Sequence, residues 1–243
     1  MPRKVHVPGQ AQNDLPETHV CFILDESGSM STRLVQVLSG FKEYLDTIKA
    51  EAGHVHFGLT LFNTACRVAY AGVPVAEVVA LTKATYRPGG NTSLYDAIAE
   101  AVEAQEHRLA EVREPWRVLC VVMTDGEENS SQRWTKARIA ELIQGREATG
   151  RWSFAYLGAD QQAWQEAAAI GMPVGSTATY NVRHTETAFR AMGMATVAYA
   201  SNPAMATANF YEGVKALTAD AETESADEVR VWTKQLPKAR RAR

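Results

Sequence analysis

The segment at residues 25–29 has side chains whose type and spacing suit the binding of a hard metal ion. It reads Asp-Glu-Ser-Gly-Ser and directly follows an apolar run with the composition of a buried strand. Asp25, Ser27 and Ser29 alternate along the chain, so an extended or looping backbone can direct their oxygens to one point. Gly28 permits a tight turn between them. One carboxylate and two hydroxyls are ligands that suit Mg²⁺, which binds few protein groups and keeps several waters.

Two later segments carry further oxygen ligands in similar surroundings. Residues 89–96 place Thr92 in a glycine-rich loop that precedes a helical pattern. Residues 118–126 contain a second apolar strand, which ends in Asp125. Open α/β sheets bind their ligands at the carboxyl ends of the strands. We therefore expect these side chains to belong to the same site as the first segment.

The order and type of these residues resemble the metal-ion-dependent adhesion site of the von Willebrand factor A family, which is written D-x-S-x-S, then T, then D. The matching residues are Asp25, Ser27, Ser29, Thr92 and Asp125, and the resemblance covers roughly residues 17–182. The local sequences are similar to those of bacterial and phage members.

The resemblance implies that Mg²⁺ or Mn²⁺ binds these five residues, with Asp125 as a ligand either directly or through a water. It also implies that a Glu or Asp of a protein partner completes the coordination. The alternative is a purely structural role, in which the strand-end Asp25 accepts backbone N–H bonds and the serines cap the next helix.

Hydrophobic periodicity predicts strands that alternate with helices. This pattern favours a doubly wound α/β fold, with a mostly parallel central sheet, one antiparallel edge strand and helices on both faces, as in the von Willebrand factor A family. The edge strand is predicted because only the short turn at Asn63-Thr64 separates it from the strand before it. Strands are predicted at 18–25, 54–62, 66–73, 117–124, 152–157 and 177–182, and helices at 32–51, 75–81, 93–112, 135–148, 160–170 and 184–200.

The chain divides into three regions. Residues 1–16 are a polar arm, residues 17–182 are the predicted α/β domain, and residues 183–243 are a helical C-terminal extension with a charged tail. One more short helix is predicted at 208–217. The tail is acidic at first and then basic, and we expect it to be a solvated or helix-pairing charged segment with no nucleic-acid contact.

Composition narrows the class of protein and its location. A hydrophobic content of 46% suffices for a large core, and a net charge of −3 gives no general attraction to nucleic acid or membranes. We expect no membrane span, because no apolar run reaches 18 residues, and no signal peptide, because the first residues lack an apolar stretch. Cys21, Cys66 and Cys120 are expected to be reduced core thiols of a cytoplasmic protein, and the six histidines form no ligand cluster with them.

Three functions are compatible with these residues. The favoured one is a metal-dependent protein-interaction module. The alternative is a regulatory or adaptor subunit of an AAA+ ATPase, a role that bacterial members of the resembled family often have. A metal-dependent hydrolase is the third, but hydrolysis needs a positioned base or a second metal, and no histidine lies near the motifs. We therefore expect a protein that is not an enzyme.

Three acidic residues near the motifs have more than one interpretation. Asp96 could orient a metal-bound water, but Ser93 followed by Asp96 also resembles a capping box, which would begin the helix over 93–112. Glu127 and Glu128 follow Asp125 and could add negative charge around a metal, although acids in loops are usually solvated.

Overall fold

The computed structural model describes residues 16–52, 54–113, 115–158, 161–172, 177–180, 185–202 and 229–231. The polar arm at 1–15, the helix predicted at 208–217 and most of the charged tail lie outside the described residues. The strands are β1 (Glu17–Asp25), β2 (Val55–Phe62), β3 (Cys66–Pro74), β4 (Trp116–Thr124), β5 (Trp152–Gly158), β6 (Thr177–Tyr180) and β7 (Val229–Val231). The α-helices are α1 (Leu34–Glu51), α2 (Leu94–Leu109), α3 (Lys136–Glu147), α4 (Gln161–Ala169) and α5 (Thr185–Ser201).

The described strands form one sheet in the order β3-β2-β1-β4-β5-β6-β7. The pairs β1–β2, β1–β4, β4–β5 and β5–β6 are parallel, so the predicted doubly wound architecture is confirmed. β3 runs antiparallel to β2, as predicted, because the connection between them is too short for a crossover. β7 is a second antiparallel edge strand, at the opposite edge of the sheet.

Helices cover both faces of the sheet, which explains why β1 and β4 are continuously apolar. On one face, α1 and α5 pack on the sheet around the rings of Phe22, Phe41, Tyr44, Phe57 and Phe189. The centroid of Phe22 lies 5.0 Å from that of Tyr44 and 5.8 Å from that of Phe41. These aromatic side chains join strands and helices that are distant in sequence into one core.

The other face of the sheet is covered by α2, α3 and α4. Their side chains pack on the alternate residues of the same strands, such as Ile23, Val122 and Phe154. Helix α5 begins just after the domain boundary that we predict at residue 182, yet it packs in the core around Phe22, on the face that α1 also covers. The division of the chain into three regions stays a prediction.

Two local expectations differ from the structure. The helix predicted at 75–81 is only a short 3₁₀ turn, Val75–Glu77, and α2 ends at Leu109, three residues before its predicted end. In the described part of the chain, no helix combines the length and the apolar character that a membrane span needs.

Candidate metal centre

Asp25 is the last residue of β1, and its carboxylate is fully buried. Oδ1 accepts a hydrogen bond from the backbone N–H of Ser27 at 2.6 Å, and Oδ2 accepts one from the Thr124 hydroxyl at 2.6 Å. Burial raises the pKa of Asp25, while the hydrogen bonds from Thr124 and Ser27 and the charge of Arg33 oppose that rise. The carboxylate is therefore held rigidly at the carboxyl end of the central strand.

A chain of hydroxyls joins this carboxylate to the end of the neighbouring strand. The Oγ atoms of Ser27 and Ser29 lie 3.1 Å apart, and Ser29 Oγ donates to Asp125 Oδ1 at 2.6 Å. Asp125 Oδ2 is buried and accepts no hydrogen bond from a described residue, although the Arg33 guanidinium contacts it. Four of the five predicted residues are thus adjacent, and a cation that binds Asp125 Oδ2 would have to displace the Arg33 guanidinium.

Thr92 comes from a different loop and faces the same space. A Cβ atom built on Gly126 would lie 3.2 Å from Thr92 Oγ1, 3.7 Å from Ser29 Oγ and 3.9 Å from Asp25 Oδ2. Because residue 126 is a glycine, the three oxygens surround a small space without a side chain. The structure therefore brings all five predicted residues together, and their oxygen donors fit a hard divalent cation such as Mg²⁺ or Mn²⁺.

Glu26 holds the glycine-rich loop against the end of β1. Its backbone C=O accepts from the N–H of Gly89 at 2.9 Å, and its buried carboxylate accepts from the N–H of Arg87 and pairs with Arg67. Gly90, with φ of +78°, allows the loop to turn back toward Thr92. Glu26 lies inside the motif at residues 25–29, yet the spacing of that motif does not indicate that Glu26 positions the glycine-rich loop.

Glu128 joins the start of α2 to the loop that follows β4. Its carboxylate accepts from the backbone N–H groups of Ser130 at 2.8 Å, Ser131 at 2.7 Å and Tyr95 at 3.0 Å. The carboxylate is therefore used by backbone donors, so the expectation that it is merely solvated is wrong. It holds together the two loops that carry Thr92 and Asp125.

Asp96 has a similar role and does not form the predicted capping box. Ser93 makes no side-chain capping bond to α2. The Asp96 carboxylate instead accepts from the backbone N–H groups of Gln132, Arg133 and Trp134 at 2.8 to 3.1 Å. The first turn of α2 thus fixes a loop that is distant in sequence, and local spacing alone does not reveal that contact.

A second group of potential ligands lies at the opposite end of the sheet. Glu17, His19 and His56 come together at the amino ends of β1 and β2. The sequence separates the two histidines widely, so only the pairing of β1 with β2 brings them together.

Comparisons with known proteins agree with this fold. The family model of the von Willebrand factor type A domain matches residues 19–191. The chain is similar to a von Willebrand factor type A structure from Catenulispora acidiphila, with 18% identity, a TM-score of 0.51, and coverage of 75% of this chain and 43% of that one. The matched part thus spans less than half of that protein. No curated protein matches the chain.

Two further structures are similar in fold. The von Willebrand factor domain of the type V pilus tip protein Mfa5 from Porphyromonas gingivalis has 10% identity and a TM-score of 0.58, with coverage of 75% of this chain and 95% of that one. The manganese-loaded TRAP protein of Plasmodium vivax has 18% identity and a TM-score of 0.50, with coverage of 72% of this chain and 73% of that one.

Proposed function

We propose a metal-dependent binding function for this chain, which belongs to the von Willebrand factor type A domain family. Domains of this family are mostly protein-interaction modules, and some of them depend on metal. In our proposal, Asp25, Ser27, Ser29, Thr92 and Asp125 hold Mg²⁺ or Mn²⁺, and an acidic side chain of a protein partner binds there.

The observation that carries the proposal is the convergence of oxygens around Gly126. Three side chains from two separate segments, residues 25–29 and 89–96, lie within 3.2 to 3.9 Å of the position that a Cβ atom of Gly126 would take. The Asp125 carboxylate, which accepts a hydrogen bond from Ser29, adds a second negative charge beside them, and a bound cation would replace its ion pair with Arg33. The manganese-loaded state of the Plasmodium vivax protein supports the choice of a divalent ion.

The side chains of the site have different roles in metal binding. Hydrogen bonds from Ser27 and Thr124 orient the Asp25 carboxylate, and Ser29 orients Asp125. Hydroxyls are neutral ligands, so the protein offers at most two negative charges to the cation. A bound divalent cation would supply positive charge that a carboxylate of the partner can neutralise.

Three loops surround the candidate site and would form the rim that a partner contacts. They span residues 26–31, 89–95 and 126–133. The bonds from Glu26 and Glu128 connect these loops, so the rim is built before a partner arrives. A rim of this kind loses less conformational entropy on binding than a mobile one.

Metal titration by calorimetry tests the first part of the proposal. We expect Asp25→Ala to weaken the binding of Mg²⁺ and Mn²⁺ at least tenfold. The matched control is Asp46→Ala, because Asp46 is a well-exposed aspartate on α1 that pairs with Lys42. Equal metal affinity in wild type and Asp25→Ala would contradict the proposal.

A pull-down with and without chelator tests the second part. We expect a partner to be retained with Mg²⁺ and lost with EDTA or in Thr92→Ala. Recovery of an AAA+ ATPase would support the adaptor role, and phosphoester turnover that Asp25→Ala abolishes would support a hydrolase instead. A partner that stays bound in EDTA would show that another face of the domain binds it.

The thiols support a proposed location in the cytoplasm. Cys21 and Cys120 are buried register partners on the adjacent strands β1 and β4, and both are free. Two neighbouring thiols that remain unpaired fit a reducing compartment.

A further inference from the structure

Two histidines and a glutamate come together at the amino ends of β1 and β2. His19 and His56 are register partners across the parallel pair, with ring centroids 5.1 Å apart. Glu17 Oε1 lies 3.2 Å from His19 Nε2 and 2.7 Å from His56 Nδ1. One potential ligand atom from each residue lies within 4.8 Å of the other two.

The two ring nitrogens that face Glu17 lack hydrogen bonds. His19 is 1% exposed, and its Nε2 is buried without a hydrogen-bond partner among the described residues. His56 Nδ1 is also buried and makes no hydrogen bond to a described residue, although Glu17 Oε1 lies near both nitrogens. Buried polar atoms without a hydrogen bond are costly, and a cation bound beside the Glu17 carboxylate would give both ring nitrogens a partner.

We propose that Glu17, His19 and His56 form a second metal site, selective for Zn²⁺ or a similar late divalent ion. Two imidazole nitrogens and one carboxylate oxygen are a ligand set typical of Zn²⁺, with water in the fourth position. The oxygen-only site that contains Asp25 suits Mg²⁺ or Mn²⁺ instead. The sites lie at opposite ends of β1, and the six residue steps from His19 to Asp25 separate them by about 20 Å.

Arg108 on α2 controls the availability of this site. Its guanidinium lies 2.6 Å from His19 Nδ1, and because arginine can only donate, Nδ1 must accept. The proton of the neutral ring is then on Nε2, the atom that would bind the metal. Zinc binding requires that this proton leave Nε2 and that Nδ1 carry one, so the guanidinium must move away. Arg108 lines a cavity of about 410 Å³ between α2 and the strands β1 to β3, which provides the space.

A second role of Arg108 follows from its charge. A guanidinium beside a ligand repels an approaching cation, and metal-bound histidines usually donate their second N–H to an acceptor. Arg108→Gln removes the charge and offers an amide oxygen to the N–H of His19 Nδ1. We therefore expect this variant to bind Zn²⁺ more tightly than wild type, by about tenfold, which is the scale of such contacts.

Titration of Zn²⁺ into chelator-treated full-length protein tests the proposal. Saturating Mg²⁺ is present throughout, so that the oxygen-only site is occupied. We expect one equivalent of Zn²⁺ to bind and to raise the melting temperature, because a ligand of the folded state stabilises it. His56→Ala and Glu17→Gln should each weaken binding at least tenfold, and both side chains are about one-third exposed, so the variants should fold.

The matched control is His54→Ala, because His54 is an exposed histidine two residues before His56. Its Zn²⁺ affinity should equal that of wild type. Co²⁺ in place of Zn²⁺ should give the intense visible absorption of a tetrahedral ion in wild type and not in His56→Ala. The proposal is overturned if Zn²⁺ does not bind, or if His56→Ala binds Zn²⁺ as tightly as wild type does. It is also overturned if the single substitution Asp25→Ala abolishes Zn²⁺ binding.

Discussion

Gly126 and Thr92 approach each other so closely that a Cβ atom on Gly126 would lie 3.2 Å from Thr92 Oγ1. The two residues follow different strands and loops, and they meet only at the carboxyl edge of the sheet. Gly126 has no positive φ, so its backbone does not require glycine. The absent side chain is needed for the space that it leaves between the oxygens.

Gly126→Ala should therefore weaken the binding of Mg²⁺ or Mn²⁺ at least tenfold while the protein remains folded. The added methyl group would occupy the space among Thr92, Ser29 and Asp25. Gly89→Ala is the control, because no atom of the described residues lies within 4 Å of the position of its Cβ, although it belongs to the glycine-rich loop. Calorimetric titration of both variants gives the comparison, and unchanged affinity in Gly126→Ala would show that the cation does not bind in this space.

Thr124→Val should destabilise the protein and weaken metal binding. Thr124 Oγ1 donates to Asp25 Oδ2 in a fully buried hydrogen bond, and valine has nearly the same shape without the donor. The buried carboxylate would lose a partner, at a cost of about 1–3 kcal/mol. Denaturant unfolding measures this cost. A variant as stable as wild type, with the same metal affinity, would show that Asp25 does not depend on Thr124.

Gly40→Ala should reduce stability, although alanine is the better helix former. A Cβ on Gly40 in α1 would lie 2.5 Å from Cδ2 and 3.0 Å from Cγ of the Phe189 ring in α5. The higher helix propensity of alanine would stabilise the protein by about 0.5–1 kcal/mol, but overpacking against the Phe189 ring would cost about 1–3 kcal/mol.

The control for Gly40 is Gly145→Ala in α3, where no atom of the described part of the chain lies within 4 Å of the Cβ position. This variant should show the gain in helix propensity alone, as a higher denaturation midpoint. If Gly40→Ala is stabilised to the same degree, then α5 does not pack against α1 as the structure shows.

Glu147 should make the stability of the protein depend on pH. Burial raises the pKa of Glu147 to about 7, against an opposing hydrogen bond from the backbone of Phe154. Between its ordinary value of 4.5 and about 7, the folded state binds more protons than the unfolded state. The free energy of unfolding should therefore fall as the pH rises through this window. Above it, Glu147 should cause no further change.

Glu147→Gln removes this titration. Unfolding in urea at pH 5 and at pH 8 should show that the variant gains stability relative to wild type at the higher pH. If the difference between the two proteins is the same at both pH values, the carboxyl group does not titrate in this range.

Local composition was sufficient to predict the order of the elements, and the resemblance of the motifs to those of the von Willebrand factor A family indicated the members of the candidate metal centre. The apolar runs ending in Asp25 and Asp125 are strong local signals, because strands covered on both faces need continuous apolar sequence. The short connection before β3 also determines an antiparallel pair without any tertiary information. The residue types at these strand ends then specify oxygen ligands.

The sequence by itself thus determined which strands end in carboxylates and which loops carry hydroxyls. Only the tertiary structure decided that Asp96 and Glu128 hold backbone N–H groups of another segment, because their partners are more than 30 residues away or in an irregular loop. It also decided that His19 meets His56. Such contacts depend on which strands are neighbours and on their register, and neither is encoded in the local spacing of side chains.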